Sequence, residues 1–466
     1  MITSPGVENR RSMEAEMLAR IQFGFTSAFH YIYPPMSIGL GLMLCFFEGL
    51  YLKTKNVLYK EITKFWTKVF ALTFALGVAT GLVQLFGFGT NWARYSRFVG
   101  DVFGSALGAE GIFAFFLESG FLGVMLFGWN RVGPKMHYFS TICVALGAHF
   151  SAVWIVVANS WMQTPAGFRV VGEGVSSKAV VTDFWAMVFN PSSVDRLTHV
   201  ILGCWLTGIF LILSVNAYYL FKKKHLDFVN KTFKVAFFAA GVVLLLQLFS
   251  ADATSRGVAV HQPAKLAAME GVYKTAPYTP LTLFGWVDTK TQEVRGVQIP
   301  GLLSLLANRD VKTPVKGFDQ IPLDERPPIG VVFQTFHLMI AMWGLMAVVA
   351  SIGFYLWKRK RLAKTKWALW ALMISVGFPH IANLTGWMTA EIGRQPWIVY
   401  GILKTSEGVS PNVSAHQIQG SLLMFLTIYA LLLVLFLFLL DRKIKHGPEE
   451  DEAVPMYRDP LVKEDR

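Results

Sequence analysis

A chain of 466 residues with 53% hydrophobic and only 16% charged residues falls outside the range of soluble globular domains, where the charged share is about 25%. Its mean hydropathy of +0.45 and formal charge of +13 read as those of a membrane protein whose excess cations flank apolar runs. That placement excludes a nucleic-acid surface as the meaning of the positive charge.

The chain opens with a mixed-charge amphipathic stretch, 8–20, carrying Glu8, Arg10, Arg11, Glu14, Glu16 and Arg20. The apolar run behind it is too long for the core of a signal peptide and has no small-residue cleavage site. Nine apolar runs then predict membrane-spanning helices at 22–52, 66–89, 103–129, 138–162, 196–221, 233–252, 330–357, 367–391 and 417–441. A helix needs ~20 residues to cross ~30 Å of hydrocarbon, whereas a barrel strand needs only ~9–11. A spanning backbone must satisfy its own hydrogen bonds. The predicted fold is therefore all-α: a polytopic membrane helix bundle with about nine transmembrane helices and one long external loop. The expected division is six helices in 1–252, the external loop in 253–329, three helices in 330–441 and a cytoplasmic tail in 442–466. The acidic, polar end of that tail, 447–466, is expected to be mobile.

Charge predicts orientation. Lys53, Lys55, Lys60 and Lys64 follow the first run, and Arg131 and Lys135 the third. Lys222, Lys223, Lys224, Lys231 and Lys234 follow the fifth, Lys358 to Lys366 the seventh, and Arg442, Lys443 and Lys445 the ninth. Every second loop is cationic, so those loops are expected in the cytoplasm, with the N-terminus outside and the C-terminus inside. Cys45, Cys143 and Cys204 lie singly in apolar runs, which is neither a disulfide framework nor a CxxC site. The loop 253–329 is polar, rich in Gly and Pro, and far longer than an ordinary connection. Within it, Lys265 and Glu270 are expected close together on a short helix at the membrane rim.

Ionisable and metal-ligating residues inside the runs carry the functional signal, because each is costly there. His30, Glu110, His199, Met339 and Glu391 are predicted at similar depth, in the outer part of the bilayer, from a rise of ~1.5 Å per residue. A His and a Met on facing helices make a six-coordinate haem iron suited to electron transfer, and His199 and Met339 can do this. A lone His or carboxylate leaves an axial position open, and His30 and Glu391 are candidates for that. Glu110 and Glu118 are ~12 Å apart along a regular helix and roughly 80° apart around it. Carboxylates spaced in this way line proton relays.

Several segments together carry a resemblance. They are Phe88-Gly89-Thr90-Asn91-Trp92, Ala109-Glu110-Gly111, Phe115-Phe116-Leu117-Glu118-Ser119, Lys265-Leu266-Ala267-Ala268-Met269-Glu270, and Ala390-Glu391 with Gly393-Arg394-Gln395-Pro396-Trp397. In this order and spacing the chain resembles subunit I of the cytochrome bd quinol oxidases, in the branch with a short quinol loop. The resemblance implies that His199 and Met339 hold a low-spin haem b. It implies that His30 and Glu391 anchor two high-spin haems, one b and one d. Glu110 would be the acid beside that pair and Glu118 the next proton carrier. Lys265 and Glu270 would contact quinol, Arg394 would neutralise haem propionates, and Trp387 and Trp397 would be aromatic neighbours of the haems. It further implies a second membrane subunit (subunit II), allows a small single-span subunit, and places the assembly in a bacterial cytoplasmic membrane.

Two positions depart from the pattern. Many relatives carry Arg two residues before the Met ligand, where this chain has His337, and His149 stands where some have an amide. The reaction expected is oxidation of quinol at the outer face and reduction of O2 to water, with protons drawn from the cytoplasm past Glu118 and Glu110 and no pump. The alternatives are a haem-bearing quinol electron carrier without oxygen chemistry and a proton-coupled transporter. The latter would show broken midplane helices and inverted repeats, which the sequence does not display.

Overall fold

The computed structural model describes residues 5–448, and the end of the expected tail, 449–466, lies outside them. Among the described residues, nine helical segments are long and apolar enough to cross a membrane. They comprise α1 (Pro5–His30) running into α2 (Tyr33–Thr54), then α3 (Val57–Thr90), and α4 (Gly100–Ala109) joined through a π-helical turn to α5 (Phe116–Phe127). Next come α6 (Pro134–Gln163), α7 (Ser193–Lys222) and α8 (Leu226–His261). After the short α9 (Pro263–Glu270) follow α10 (Ile329–Lys358), α11 (Lys366–Ile374) with α12 (Gly377–Ile392), and α13 (Ala415–His446).

Several helices depart from the apolar runs for identifiable reasons. The first run is broken after His30, where α2 restarts with Pro34 and Pro35 in its first turn. Proline has no N–H to continue the ladder, but is tolerated at a helix start. The eighth run is likewise broken between Ile374 and Gly377, ahead of Pro379. Helix α8 continues nine residues beyond the expected end of its run, through the polar segment 253–261. The expected loop start at 253 therefore falls inside a helix. Similarly, α13 runs on to His446, into the expected tail.

The tightest packing lies among α2, α3, α7 and α8, where Leu40, Phe47, Trp66, Phe70, Phe210 and Phe233 are fully buried. Helices α2 and α7 cross at Gly39 and Gly208. A Cβ on Gly39 would meet the Cys204 carbonyl oxygen, and one on Gly208 would meet the Gly39 backbone. Small residues at a crossing let membrane helices pack backbone to backbone. At the other end of α2, Glu48 takes Thr141 Oγ1 at 2.6 Å and faces His137 Nδ1 at 2.6 Å, while His137 Nε2 donates to the Met125 carbonyl at 3.1 Å. Both Glu48 and His137 are buried, and they tie α2, α5 and α6 together.

The connections carry three two-stranded antiparallel sheets: β1 (Phe168–Val171) with β2 (Lys178–Val181), β3 (Leu281–Asp288) with β4 (Glu293–Ile299), and β5 (Trp397–Val399) with β6 (Leu403–Lys404). The β3–β4 hairpin packs against α10, and its register shifts between Thr282 and Phe284.

Candidate functional site

One cavity of about 1530 Å3 runs between the helices. Its wall includes His30, Glu110, Glu118, His199, Lys265, Glu270, Met339, Trp387, Glu391 and Arg394, so it gathers every residue that the resemblance gives a role except Trp397. Trp397 sits in β5, where the Lys404 ammonium lies 5.6 Å from its ring centre, and its carbonyl accepts Arg394 Nε at 3.2 Å. Its part in the site is through that carbonyl.

The break after His30 makes it the last residue of α1, with Nδ1 2.9 Å from Thr80 Oγ1 on α3. A Cβ on Gly81 would lie 3.2 Å from the ring, so glycine there leaves the imidazole its room. His199, near the start of α7, receives Gln247 Nε2 of α8 at 3.1 Å. The Met339 sulfur lies 2.8 Å from where a Cβ on Gly386 would be, so the glycine admits the thioether between α10 and α12.

Glu391 sits at the centre of a buried polar cluster. Its Oε1 accepts Asn159 Nδ2 at 3.0 Å and Gln163 Nε2 at 3.2 Å, and its Oε2 accepts Arg394 Nη2 at 2.5 Å. Arg196 at the start of α7 closes the group, donating to the Asn159 side chain at 2.5 Å and its carbonyl at 3.2 Å. Arg394 Nη1 is buried without a partner. Asn159, Gln163 and Arg196 did not stand out in the sequence. The amides are uncharged, and Arg196 reads as an ordinary cation at a span edge.

Glu110 and Glu118 both face α6, but not by the regular-helix geometry. The π-helical turn Glu110–Phe115 lies between them. Its i→i+5 bonding widens the turn and reduces the rotation per residue, which alters their angular relation. Glu110 Oε1 accepts Ser151 Oγ at 2.5 Å, and the Glu118 side chain packs onto Gly147. The two carboxylates thus address α6 one turn apart.

Helix α9 places Lys265 and Glu270 on the cavity wall without pairing them, because positions five apart on a helix differ by about 140°. Lys265 Nζ donates to Gln163 Oε1 at 2.5 Å and to Gln262 Oε1. Burial, with Arg196 and Arg394 nearby, holds its pKa well below the ordinary lysine range. Burial pushes the Glu270 carboxyl up to about 8, with the Thr282 backbone acting in the opposite direction, and its Oε2 has no partner. His337 reaches the same hairpin. His149 lies elsewhere, accepting Trp205 Nε1 at 2.8 Å.

Comparison with known proteins supplies the context for this wall. Residues 18–448 match the family model described as cytochrome bd terminal oxidase subunit I. The chain is 39% identical to the cytochrome bd ubiquinol oxidase subunit 1 of Bacillus subtilis (strain 168), over 97% of this chain and 98% of that protein. It is 30% identical to the cytochrome bd-II ubiquinol oxidase subunit 1 of Escherichia coli (strain K12), over 92% and 96%. It is 32% identical to a putative cytochrome bd menaquinol oxidase subunit I of Bacillus subtilis, over 94% and 99%. Its fold matches the solved bd oxidase from Geobacillus thermodenitrificans with a TM-score of 0.87 and 31% identity, covering 94% of this chain and all of that one.

Proposed function

We propose a division of labour among the residues of this chain, which belongs to the cytochrome bd terminal oxidase subunit I family and is a membrane subunit of a quinol:oxygen oxidoreductase. The family implies haem cofactors and a second subunit, subunit II. The wall fits haem. Among the described residues no three His, Cys, Asp or Glu side chains gather as a bare metal site. Isolated axial ligands suit an iron whose in-plane ligands come with its macrocycle. The unpartnered Arg394 Nη1 suits an anion such as a propionate.

In this reading His199 and Met339 hold a low-spin haem b, and His30 and Glu391 anchor a high-spin haem b and a haem d. Arg394 faces the propionates and Trp387 packs beside them. When bound, these groups supply electron transfer and an open iron for O2. Glu270 offers Oε2 to a quinol hydroxyl, and a carboxyl raised to about 8 exchanges protons near neutrality. Lys265 positions the other side of the quinol site. The relatives' names include both ubiquinol and menaquinol oxidases, so the class of donor is a quinol.

Glu118 and then Glu110 hold protons along the α6 wall and pass them towards the site of oxygen reduction. Alternating cationic loops support a cytoplasmic supply, with the N-terminus outside and the C-terminus inside. Quinol protons released outside and water protons taken from inside then separate charge without a pump.

The observation that carries the reading is the common cavity for all four candidate haem ligands and both quinol-contacting residues. The test is a reduced-minus-oxidised spectrum with extraction of the haems from the purified complex. Two b haems and one d haem per complex support the reading, whereas b haems alone remove haem d from it.

A further inference from the structure

We propose that His337 is a positioning residue of the quinol site. Its ring ties the backbone of Thr282, and through it the Glu270 carboxylate, to the helix that carries Met339. The proposal rests on the assignment of quinol to Glu270 made above.

The connection is short. His337 Nε2 lies 3.0 Å from the Thr282 carbonyl oxygen on β3, and Nδ1 lies 2.8 Å from the Phe333 carbonyl on its own helix. The ring stacks on Phe333 at 4.0 Å and meets Phe336 edge-on at 5.5 Å. In the tautomer with the proton on Nε2 the ring donates to the Thr282 carbonyl, and its packing against two aromatic faces leaves it little rotational freedom. The end of α9 packs on the same two elements: a Cβ on Gly271, the residue after Glu270, would meet Val294 and lie 3.0 Å from Val287 of the hairpin and 3.5 Å from Phe333, and the Thr282 backbone bears on the Glu270 carboxylate. One residue of β3 therefore bears on the quinol-site carboxylate with its backbone and faces the imidazole with its C=O.

Thr282 is buried and stands where the hairpin register shifts. Bulges of this kind re-aim groups next to functional sites. Glu270 Oε2 remains unpartnered on the cavity wall, so its direction follows from what holds the rest of the carboxylate. Releasing Thr282 would loosen that direction, and the loss would fall on quinol binding rather than on oxygen reduction. A neighbouring contact between the same elements provides a control. Gln334 Nε2 donates to the Gly285 carbonyl at 3.2 Å, further along β3 and without reaching Thr282.

The experiment uses the purified holoenzyme. Quinol oxidation is compared with oxygen reduction driven by an artificial one-electron donor that bypasses the quinol site. His337→Phe keeps the aromatic stack and removes the polar contacts. It should raise the quinol KM about fivefold, the loss of roughly one hydrogen bond, with the artificial-donor rate and haem content near wild type. His337→Arg, which again offers a donor to the Thr282 carbonyl, should recover most of the KM. Gln334→Ala should leave it unchanged. A wild-type KM in His337→Phe overturns the proposal, as does an equal rise in Gln334→Ala. A parallel fall of both rates with lost haem also overturns it, and makes His337 a folding residue. Glu270→Gln separates the two readings. Unimpaired quinol oxidation there removes the quinol site itself, while impairment there beside an unaffected His337→Phe removes only the positioning role.

Discussion

Lys265 and Glu391 share one amide. Gln163 accepts Lys265 Nζ through Oε1 at 2.5 Å and donates Nε2 to Glu391 Oε1 at 3.2 Å. The residue assigned to quinol and the residue assigned to a haem are thus two hydrogen bonds apart. Gln163→Leu keeps the volume and removes both bonds, leaving buried polar groups short of partners at ~1–3 kcal/mol. The expected outcome is a quinol turnover lowered about tenfold together with a shifted high-spin haem spectrum. Steady-state kinetics and a reduced spectrum of one preparation check it. A kinetic loss with an unshifted spectrum would mean that the amide serves Lys265 alone.

Met339→Leu isolates the thioether. The swap conserves volume and should cost less than ~1.5 kcal/mol of packing. The complex should assemble, with the low-spin haem converted to a five-coordinate high-spin form. An unchanged low-spin band in the purified variant removes Met339 as a ligand.

Glu270 predicts a pH profile. Burial raises its carboxyl to about 8, so the neutral form dominates below that pH and the carboxylate above it. Accepting a quinol proton requires the carboxylate, so kcat/KM for quinol should climb with pH through an inflection near 8. Stability runs the other way. The contribution from burying the neutral acid is complete below the ordinary glutamate pKa and is lost as pH rises through about 8. Glu270→Gln should lower quinol oxidation, flatten the inflection and spare oxygen reduction from an artificial donor.

The nine spans among the described residues were legible because apolar runs long enough to cross a bilayer have few other readings, and His30, Glu110, His199 and Glu391 stood out as candidates because ionisable groups are rare inside such runs. Polar helix ends such as 253–261 were not, since hydropathy stops at the first charges while the hydrogen-bond ladder continues. Asn159 and Gln163 carry no charge to mark them. The π-helical turn after Ala109 leaves no sequence mark, so the angle between Glu110 and Glu118 had to come from the structure. Lys265 and Glu270 were expected together from their proximity in sequence, but helical rotation turns them apart.

Glu48 was passed over although it is a buried carboxylate inside the first span. Its contacts to His137 and Thr141 satisfy both oxygens. Removing one partner from such a pair leaves the other uncompensated, at ~3–5 kcal/mol. His137→Leu should therefore lower the thermal stability of the detergent-solubilised complex more than Thr141→Val does. Equal melting temperatures for wild type and His137→Leu would show the pair to be energetically idle.

Proton supply is where the geometry is most exposed to test. Glu118 lies against Gly147 and Glu110 bonds Ser151, one turn further along the same helix. Glu118→Ala should slow the proton-consuming steps while electron transfer into the haems stays fast. Glu118→Asp should recover part of the rate, because a carboxylate remains with one methylene less reach. Gly147→Ala offers a test that leaves both carboxylates in place. The added methyl would lie too close to Glu118 Cγ for van der Waals contact, so the side chain must shift away from the α6 wall. Overpacking of this kind costs ~1–3 kcal/mol, which the complex should survive. The reaction of fully reduced enzyme with O2 is then followed by absorbance, with a pH indicator on the cytoplasmic side. A delayed late phase with diminished proton uptake in both Glu118→Ala and Gly147→Ala is the expected result. Wild-type uptake in Glu118→Ala would make the two carboxylates structural, and the supply route would have to run along another helix or through subunit II.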